Sequence, residues 1–260
     1  MTPGTGEWGT LLDDLTAEWA ELDEWLEDAD PGRATPAEGW SIGDQVSHLA
    51  FFDDREHEAI TDPDGFRASL AALLSNGDLT ALERDHLARG RSMGPAELRK
   101  WLAHSRRRMV DAFRTVGPAT RLPWYGPDMS ARSGATARLM ETWAHAQDVA
   151  DALGVTRVPS LRLRHVAHLG VVTFGWSHVN RGETPPDRAP TVELVSPDGG
   201  TWEWNPDGDG AVRGSALDFC LLVTQRRNRR ELDLVAEGTT ADHWLDIAQA
   251  FAGPATEGRS

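Results

Sequence analysis

The sequence predicts an α+β fold in which a helical bundle is followed by a smaller α/β unit. Apolar residues recur every three or four positions up to about residue 180, which is the period of amphipathic helices. After the proline-rich segment 182–190 the apolar period becomes two, which is typical of strands. Helices first and a small sheet afterwards indicate two units. We place the bundle at residues 1–158, and a long connecting helix with the α/β unit at residues 159–260.

Composition limits the classes of function. The 260 residues carry a formal net charge of −15 and a pI near 5.0, so nucleic acids and anionic membrane surfaces are not expected as partners. We find no run of the roughly 18 to 20 apolar residues that a membrane span needs. The single cysteine, Cys220, excludes an internal disulfide or a thiolate metal cluster within one chain. Together with the polar start of the chain, it favours a cytoplasmic protein.

The first two helices follow from their apolar stripes and from signals at their ends. A stripe of tryptophan and leucine predicts a first helix, which the segment Asp30-Pro31-Gly32 ends. Ser41 and Asp44 have the spacing of a capping box and predict that a second helix begins at Ile42. The stripe of the first helix consists of Trp8, Leu11, Leu12, Leu15, Trp19, Leu22, Trp25 and Leu26.

The remaining elements follow from similar signals. Asn76-Gly77-Asp78 and residues 89–92 are predicted to break a helical pattern, and Pro95 suits the first turn of the helix that follows. Residues 121–130 contain prolines and a glycine and are predicted to form an irregular loop. In chain order, we predict helices at 66–91, 95–117, 133–154 and 160–180, strands at 191–196, 201–205 and 211–213, a helix at 215–226, a strand at 232–237 and a helix at 240–251.

The strongest indication of function is a pair of side chains in the helix predicted at residues 133–154. Glu141 and His145 are four residues apart, so they lie on one helix face and can reach one point in space. A carboxylate and an imidazole suit a divalent transition metal, zinc first, although nickel, iron and copper accept the same ligands. His48, on the second predicted helix, is the best candidate for a third ligand. Three protein ligands leave one coordination position open, as in catalytic metal sites.

Two other readings of the histidines remain open. His48 lies at the edge of an apolar stripe, where a histidine is often an ordinary core residue. His165 and His168 are three residues apart and can share a metal, and His178 lies further along the same predicted helix, but no third acidic or histidine partner with helical spacing accompanies the pair. We therefore expect His165 and His168 to be surface or core residues.

The loop before the helix of Glu141 contains Trp124 and the only tyrosine of the chain, Tyr125. A loop that leads into a ligand-bearing helix can form the wall of a pocket, so both are candidate substrate-binding residues. They can equally fill the end of the bundle by packing. The sequence does not decide between these two roles.

Several segments resemble a known family. Trp40 to Leu49, with the pattern Trp-Ser-x-x-Asp-Gln-Val-x-His-Leu, and Met140 to Asp148 are similar to the DinB-like, mycothiol-dependent maleylpyruvate isomerase family of actinobacteria. Gly214 to Cys220 and Trp244 to Ala248 resemble the small sterol-carrier-like α/β domain of that family. The resemblance covers most of the chain and implies a DinB-like bundle followed by a sterol-carrier-like domain.

The resemblance also implies roles for individual side chains. It assigns His48, Glu141 and His145 to three metal positions. The family uses arginines to hold substrate carboxylates, and Arg89 and Arg91 lie in roughly the corresponding region. The alternative is that these two arginines are solvent-exposed loop charges.

The implied function is that of a metal-dependent enzyme that acts on a small-molecule substrate. Zinc deprotonates a coordinated thiol at neutral pH, and because the chain has no suitably placed cysteine, the thiol would be a small cofactor such as mycothiol. We expect S-transfer to a small electrophile, or cis–trans isomerisation of one. The alternatives are a noncatalytic metal- or small-molecule-binding protein and a thiol-independent metalloenzyme of specialised metabolism.

Overall fold

The computed structural model describes residues 6–76 and 80–256, which divide into two compact units between Thr156 and Arg157. Gly77 and Asp78, which belong to the break predicted within the helical pattern of residues 66–91, lie outside the described residues. The first unit contains α1 (Glu7–Leu26), α2 (Ile42–Thr61), α3 (Pro63–Asn76), α4 (Thr80–Arg91), α5 (Pro95–Phe113), β1 (Arg121–Leu122), β2 (Met129–Ser130) and α6 (Ala131–Leu153). The second unit contains α7 (Leu163–Val172), α8 (Phe174–Val179), β3 (Thr191–Val195), β4 (Thr201–Trp204), β5 (Ala211–Ser215), α9 (Ala216–Val223), β6 (Val235–Glu237) and α10 (Thr239–Ile247).

Local signals set the ends of the bundle helices. At the start of α2, the Asp44 N–H donates to Ser41 Oγ at 3.2 Å, and the Ser41 N–H donates to Asp44 Oδ2 at 2.9 Å. The predicted capping box is thus present. Pro95 is the first residue of α5, and α6 ends at Gly154, whose φ of 71° is left-handed.

The core of the first unit lies between α1, α2, α5 and α6. Each helix directs an apolar stripe inward, and burial of these side chains drives the packing of the bundle. The buried cluster comprises Leu22, Leu26, Ile42, Val46, Leu49, Ala50, Leu98, Trp101, Leu102, Ala146 and Val149.

Buried polar contacts fix the register between α2 and α6. Arg138 Nε donates to Asp53 Oδ1 at 3.0 Å, and the two side chains are only 3% and 2% exposed. Further along, His145 Nδ1 contacts Gln45 Oε1. Residue numbers rise on α6 as they fall on α2, so the two helices run antiparallel. Burial raises the pKa of Asp53, although the Arg138 guanidinium opposes the shift.

Glu56 is a second buried carboxyl group at the interface of α2 and α6. Its side chain lies against Gly134, where an added Cβ would be 2.5 Å from Glu56 Oε1. Neither carboxyl oxygen has a hydrogen-bond partner within residues 6–76 and 80–256. Burial raises the pKa of Glu56 to about 7, against the attraction of Arg138.

Two predictions for the bundle were wrong. Residues 89–92 were expected to break the helical pattern, but residues 89–91 form the last turn of α4. Gly90 allows this turn to approach α2, because an added Cβ would be 1.7 Å from Ser47 Oγ. The loop at 121–130 was expected to be irregular, but its ends pair as β1 and β2, with Arg121 opposite Ser130 and Leu122 opposite Met129.

The sheet of the second unit has the strand order β4-β3-β5-β6. β3 pairs antiparallel with β4 and parallel with β5, and β6 pairs antiparallel with β5. The α9 helix packs against α7 where Gly170 leaves room, since an added Cβ would be 2.8 Å from the Val223 side chain. The predicted α+β class is confirmed by this helical bundle and small sheet.

The long connecting helix predicted over residues 160–180 was wrong. Two shorter helices, α7 and α8, are separated at Thr173, whose φ of −91° and ψ of 11° leave the helical region. Thr173 Oγ1 donates to Leu169 O at 2.8 Å and to Gly170 O at 3.0 Å. Such a hydroxyl competes with the N–H groups that would continue the helix.

A helix that crosses a membrane has to be both long and apolar. None of the helices in the described segments combines the length and the apolar character that crossing a bilayer would need.

The buried ion pair generates a stability prediction. We expect Arg138→Met to lower the free energy of unfolding by about 3–5 kcal/mol at pH 7, because it leaves the Asp53 carboxylate buried without its cation. Arg132→Met, on the same helix, removes only an exposed contact to Glu7 and should cost at most about 1 kcal/mol. Urea denaturation measures both variants, and equal losses would contradict the role assigned to the buried pair.

Glu56 generates a pH prediction. Its pKa rises from 4.5 to about 7 on folding, so the folded state is favoured while Glu56 is protonated, and this advantage is lost as the pH rises towards 7. Glu56→Gln removes the ionisation. We expect the variant to match the wild type near pH 4.5 and to exceed its free energy of unfolding at pH 8 by up to about 3 kcal/mol. A difference between the two proteins that does not change with pH would contradict this assignment.

Candidate metal centre

The structure brings His48, Glu141 and His145 together. His145 Nε2 is 3.1 Å from Glu141 Oε2, and His48 Nε2 is 3.7 Å from the same oxygen. The ring centroids of the two histidines are 4.5 Å apart. One potential ligand atom from each of the three residues lies within 4.8 Å of the others. The three side chains predicted from the sequence therefore converge on one point, with α2 supplying one and α6 two.

These separations fit a bound transition metal. Ligands held at about 2.1 Å in tetrahedral geometry lie about 3.4 Å from one another. The nitrogen-to-oxygen distances of 3.1 and 3.7 Å lie on either side of that value. His48 and Glu141 are partly exposed and His145 is buried, so the donors face a point that solvent can reach.

A directional hydrogen-bond chain fixes the orientation of the His145 ring. Thr35 Oγ1 donates its hydrogen to Trp40 O at 2.9 Å. The hydroxyl oxygen of Thr35 is therefore the acceptor in its contact with Gln45 Nε2, at 3.0 Å. Gln45 Oε1 is then left to accept from the His145 Nδ1–H. In a neutral ring, Nε2 therefore directs a lone pair at Glu141 Oε2. Two lone pairs at that distance repel unless a proton or a metal ion lies between them, so the arrangement is compatible with a metal site.

Charge in the cluster favours the ionised carboxylate. Burial by itself would raise the pKa of Glu141. When the two rings carry protons towards the carboxylate, their contacts with it outweigh burial and hold the pKa of Glu141 well below its usual value. Glu141 is therefore an anionic donor at neutral pH, as metal coordination requires.

Aromatic rings surround the two histidines. Trp40 stacks on His145 with centroids 6.0 Å apart and lies 5.3 Å from His48. Phe52 is 4.6 Å from His48 on another side. These rings limit the movement of both imidazoles and lower the dielectric around the donors.

His86 is a further residue near the site, which the sequence analysis did not identify. Its ring lies 5.4 Å from His48 and stacks on Phe51 at 4.8 Å. Nδ1 is 2.7 Å from Leu82 O, while Nε2 is buried and has no hydrogen-bond partner in the described part of the chain. Burial, aided by His48, lowers the pKa of His86 to about 4, so its ring is neutral at pH 7. His86 comes from α4, and no spacing relates it to the other histidines.

Trp124 and Tyr125 lie one aromatic ring away from the triad. Both contact Phe52, at 6.3 and 5.9 Å, and Phe52 in turn contacts His48. Trp124 also stacks on Phe66 at 5.8 Å, and Tyr125 Oη accepts from Arg55 Nε at 3.0 Å. These contacts show the packing role, and substrate binding by the two residues stays a prediction.

Arg89 and Arg91 have contacts outside the triad. The Arg91 guanidinium donates to both carboxylate oxygens of Asp44, at 2.8 and 3.1 Å. Arg89 places its guanidinium carbon 3.9 Å from the ring centroid of Trp101. Arg91 thus neutralises the capping residue of α2, and Arg89 packs on α5. Substrate binding by either arginine stays a prediction.

The fold and the site define the class of protein: a helical bundle with a three-donor candidate metal site, followed by a small α/β unit. A family model of the mycothiol maleylpyruvate isomerase N-terminal domain matches residues 12–150. The chain therefore belongs to the mycothiol maleylpyruvate isomerase family, and the resemblance seen in Trp40 to Leu49 and Met140 to Asp148 is confirmed.

Two relatives and two solved structures are similar to this chain. Two uncharacterised proteins, from two strains of Mycobacterium tuberculosis, are each 46% identical over 250 residues, which cover 95% of this chain and 94% of the relative. Crystal structures of the mycothiol-dependent maleylpyruvate isomerase and of a histidine-to-alanine mutant of it align with TM-scores of 0.60. They are 17% and 16% identical, and each alignment covers 91% of this chain and 94% of that chain. At this identity, the structures show a shared fold.

Gln45 generates a prediction about metal affinity. We expect Gln45→Leu to weaken zinc binding by about 10–100-fold, because His145 loses the acceptor that directs its Nε2 at Glu141. The control is Gln147→Leu, which removes a glutamine from α6 that contacts Asp151 instead of the triad. Competition with a chromogenic chelator measures both affinities. An unchanged affinity in Gln45→Leu would show that this hydrogen bond does not orient the ligand.

Proposed function

We propose that the protein is a metal-dependent enzyme that activates a small thiol, of the mycothiol kind, for cis–trans isomerisation or S-transfer on a small electrophilic substrate. The observation that carries the proposal is the convergence of His48, Glu141 and His145, with Gln45 fixing the tautomer of one ligand. Membership of a family whose name includes mycothiol and maleylpyruvate isomerase supports the thiol and the reaction class.

The three donors would hold a divalent ion, zinc first, through His48 Nε2, Glu141 Oε2 and His145 Nε2. When bound, such an ion lowers the pKa of a coordinated thiol, so that thiolate is present at neutral pH. Two neutral imidazoles and one carboxylate contribute a single negative charge, which leaves the ion with net positive charge to attract a thiolate. Trp40 and Phe52 restrict the imidazoles and so keep the donors in place before any ligand arrives.

The thiol has to come from outside the chain. Cys220 is fully buried in the second unit, and burial raises the pKa of its thiol well above the usual value. Its Sγ lies 3.5 Å from Leu163 O, inside the packing of α7 and α9. A thiol in that state is neutral and inaccessible, so a small thiol cofactor is the reasonable nucleophile.

The reaction follows from the chemistry of thiolates. A thiolate that adds to a carbon–carbon double bond conjugated with a carbonyl group turns it into a single bond and moves the electron pair onto the carbonyl oxygen as an enolate. The adduct can rotate about the new single bond, and it must take up a proton if the C–S bond is to be kept. Expulsion of the same thiolate restores the double bond in the trans form, whereas retention of the new C–S bond gives S-transfer. We propose that the loop of Trp124 and Tyr125 contacts the substrate, because it lies beside Phe52 at the edge of the triad.

Calorimetry with mycothiol tests the proposal. We expect zinc-loaded protein to bind mycothiol with a dissociation constant below the millimolar range and to isomerise maleylpyruvate in a thiol-dependent way. Glu141→Gln should lose the metal held by the triad and reduce turnover by about 100-fold or more, because it removes the anionic donor. The exposed Glu83→Gln on α4 serves as the control and should behave as the wild type.

The possible failures are distinguishable. Absence of both mycothiol binding and thiol-dependent turnover in zinc-loaded protein would contradict the proposal. Metal-dependent turnover of a substrate without thiol would identify a thiol-independent metalloenzyme instead. If Glu141→Gln retained as many equivalents of zinc as the wild type, the triad would not be a binding site.

A further inference from the structure

The second unit contains another group of potential metal ligands, which the reaction proposed above does not use. His178 Nδ1 is 3.0 Å from Glu183 Oε2, and His243 Nε2 is 2.8 Å from the same oxygen. The ring centroids of the two histidines are 5.5 Å apart. One ligand atom from each residue lies within 4.8 Å of the others, as in the first cluster. All three residues belong to the unit that begins at Arg157.

A helix-terminating turn places Glu183 over His178. After α8, the Gly182 N–H donates to Val179 O at 2.9 Å, and the Glu183 N–H donates to His178 O at 3.0 Å. Gly182 has a φ of 73°, so these contacts form a Schellman motif. The motif turns the chain back, and the Glu183 carboxylate lies against the imidazole of His178, five residues earlier in the chain. The backbone therefore arranges two of the three donors.

The third donor comes from a distant part of the chain. His243 lies on α10, which packs against α8 in the same unit. Its side chain is 49% exposed and that of Glu183 is 38% exposed, whereas that of His178 is 3% exposed. The group thus has one buried donor at its base and two donors that face solvent, from which an ion can enter.

The buried imidazole presents one nitrogen to the group. His178 packs against Phe174 at a centroid distance of 4.9 Å. Its Nε2 is buried and has no hydrogen-bond partner in residues 6–76 or 80–256. Nδ1 is therefore the nitrogen that this ring offers to a ligand, and packing holds it towards Glu183.

Two arrangements satisfy the observed distances. In one, each imidazole donates an N–H to the same carboxylate oxygen, so the group is a pair of hydrogen bonds. In the other, three lone pairs face one cation. In the second arrangement, the buried His178 would supply one fixed donor, and the two solvent-facing side chains could adjust to the ion. Two histidines with one carboxylate form the donor set that zinc and ferrous iron accept.

We propose that His178, Glu183 and His243 form a second site for a divalent transition metal ion such as Zn²⁺, which links α10 to α8. The two nitrogens need to move from the carboxylate oxygen by only about 0.5 Å to reach the separation of tetrahedral ligands. Both exposed donors have room to make this movement. The net charge of −15 also favours cations near the surface. The inference does not depend on the proposed function, because the site lies outside the bundle.

Metal stoichiometry of the full chain tests this inference. Protein purified without a histidine tag, loaded with zinc and dialysed against metal-free buffer, is expected to hold two equivalents of zinc per chain. Glu183→Gln and His243→Ala should each hold one equivalent, and Glu141→Gln should also hold one. His243→Ala combined with Glu141→Gln should hold none. His168→Ala, an exposed histidine of the same unit, is the control and should hold two.

A second measurement keeps the test independent of how the variants fold. Anomalous diffraction at the zinc edge, from zinc-loaded wild-type crystals, should show a peak between His178, Glu183 and His243. A peak only at His48, Glu141 and His145 would overturn the inference and leave the proposed function intact. Two equivalents in His243→Ala would also overturn it. A peak only in the second unit would instead support this site and contradict the metal centre of the bundle.

Discussion

The antiparallel register between α2 and α6 is the constraint on which the candidate site depends. The buried Asp53–Arg138 ion pair is stable only when the two groups face each other, since neither side chain can reach water from its position. Gly134 admits Glu56 at one end of the interface, and Gln45 meets His145 at the other. A shift by one residue on either helix would break these contacts together. Only the observed register places His48 opposite Glu141.

Within that register, hydrogen bonding converts three nearby side chains into an oriented donor set. The chain from Trp40 O through Thr35 and Gln45 leaves His145 Nε2 facing the carboxylate. The orientation is determined outside the cluster, by groups that would never touch a metal. This is how a site can be ready for its ligand before the ligand binds, so that less ordering is needed on binding.

The two units assemble the same kinds of donors by different means. In the bundle, Glu141 and His145 share a helix face through their spacing of four residues, and α2 supplies the remaining histidine. In the second unit, a Schellman turn brings Glu183 back to His178, and α10 supplies His243. The first arrangement is partly buried and lies on packed helices, which keep the donors in the fixed geometry that a catalytic site needs. The second is exposed and joins two short helices, which suits a stabilising role.

The sequence by itself determined features that form within one or two turns of chain. These are the capping box at Ser41, the shared helix face of Glu141 and His145, and the change of period after residue 190. Only the tertiary structure decided that Gln45 contacts His145, that His86 lies beside His48, and that Glu183 meets His243. Helix caps and periods arise from neighbouring residues, whereas these contacts depend on the register of segments 40 to 100 residues apart, which no local pattern records.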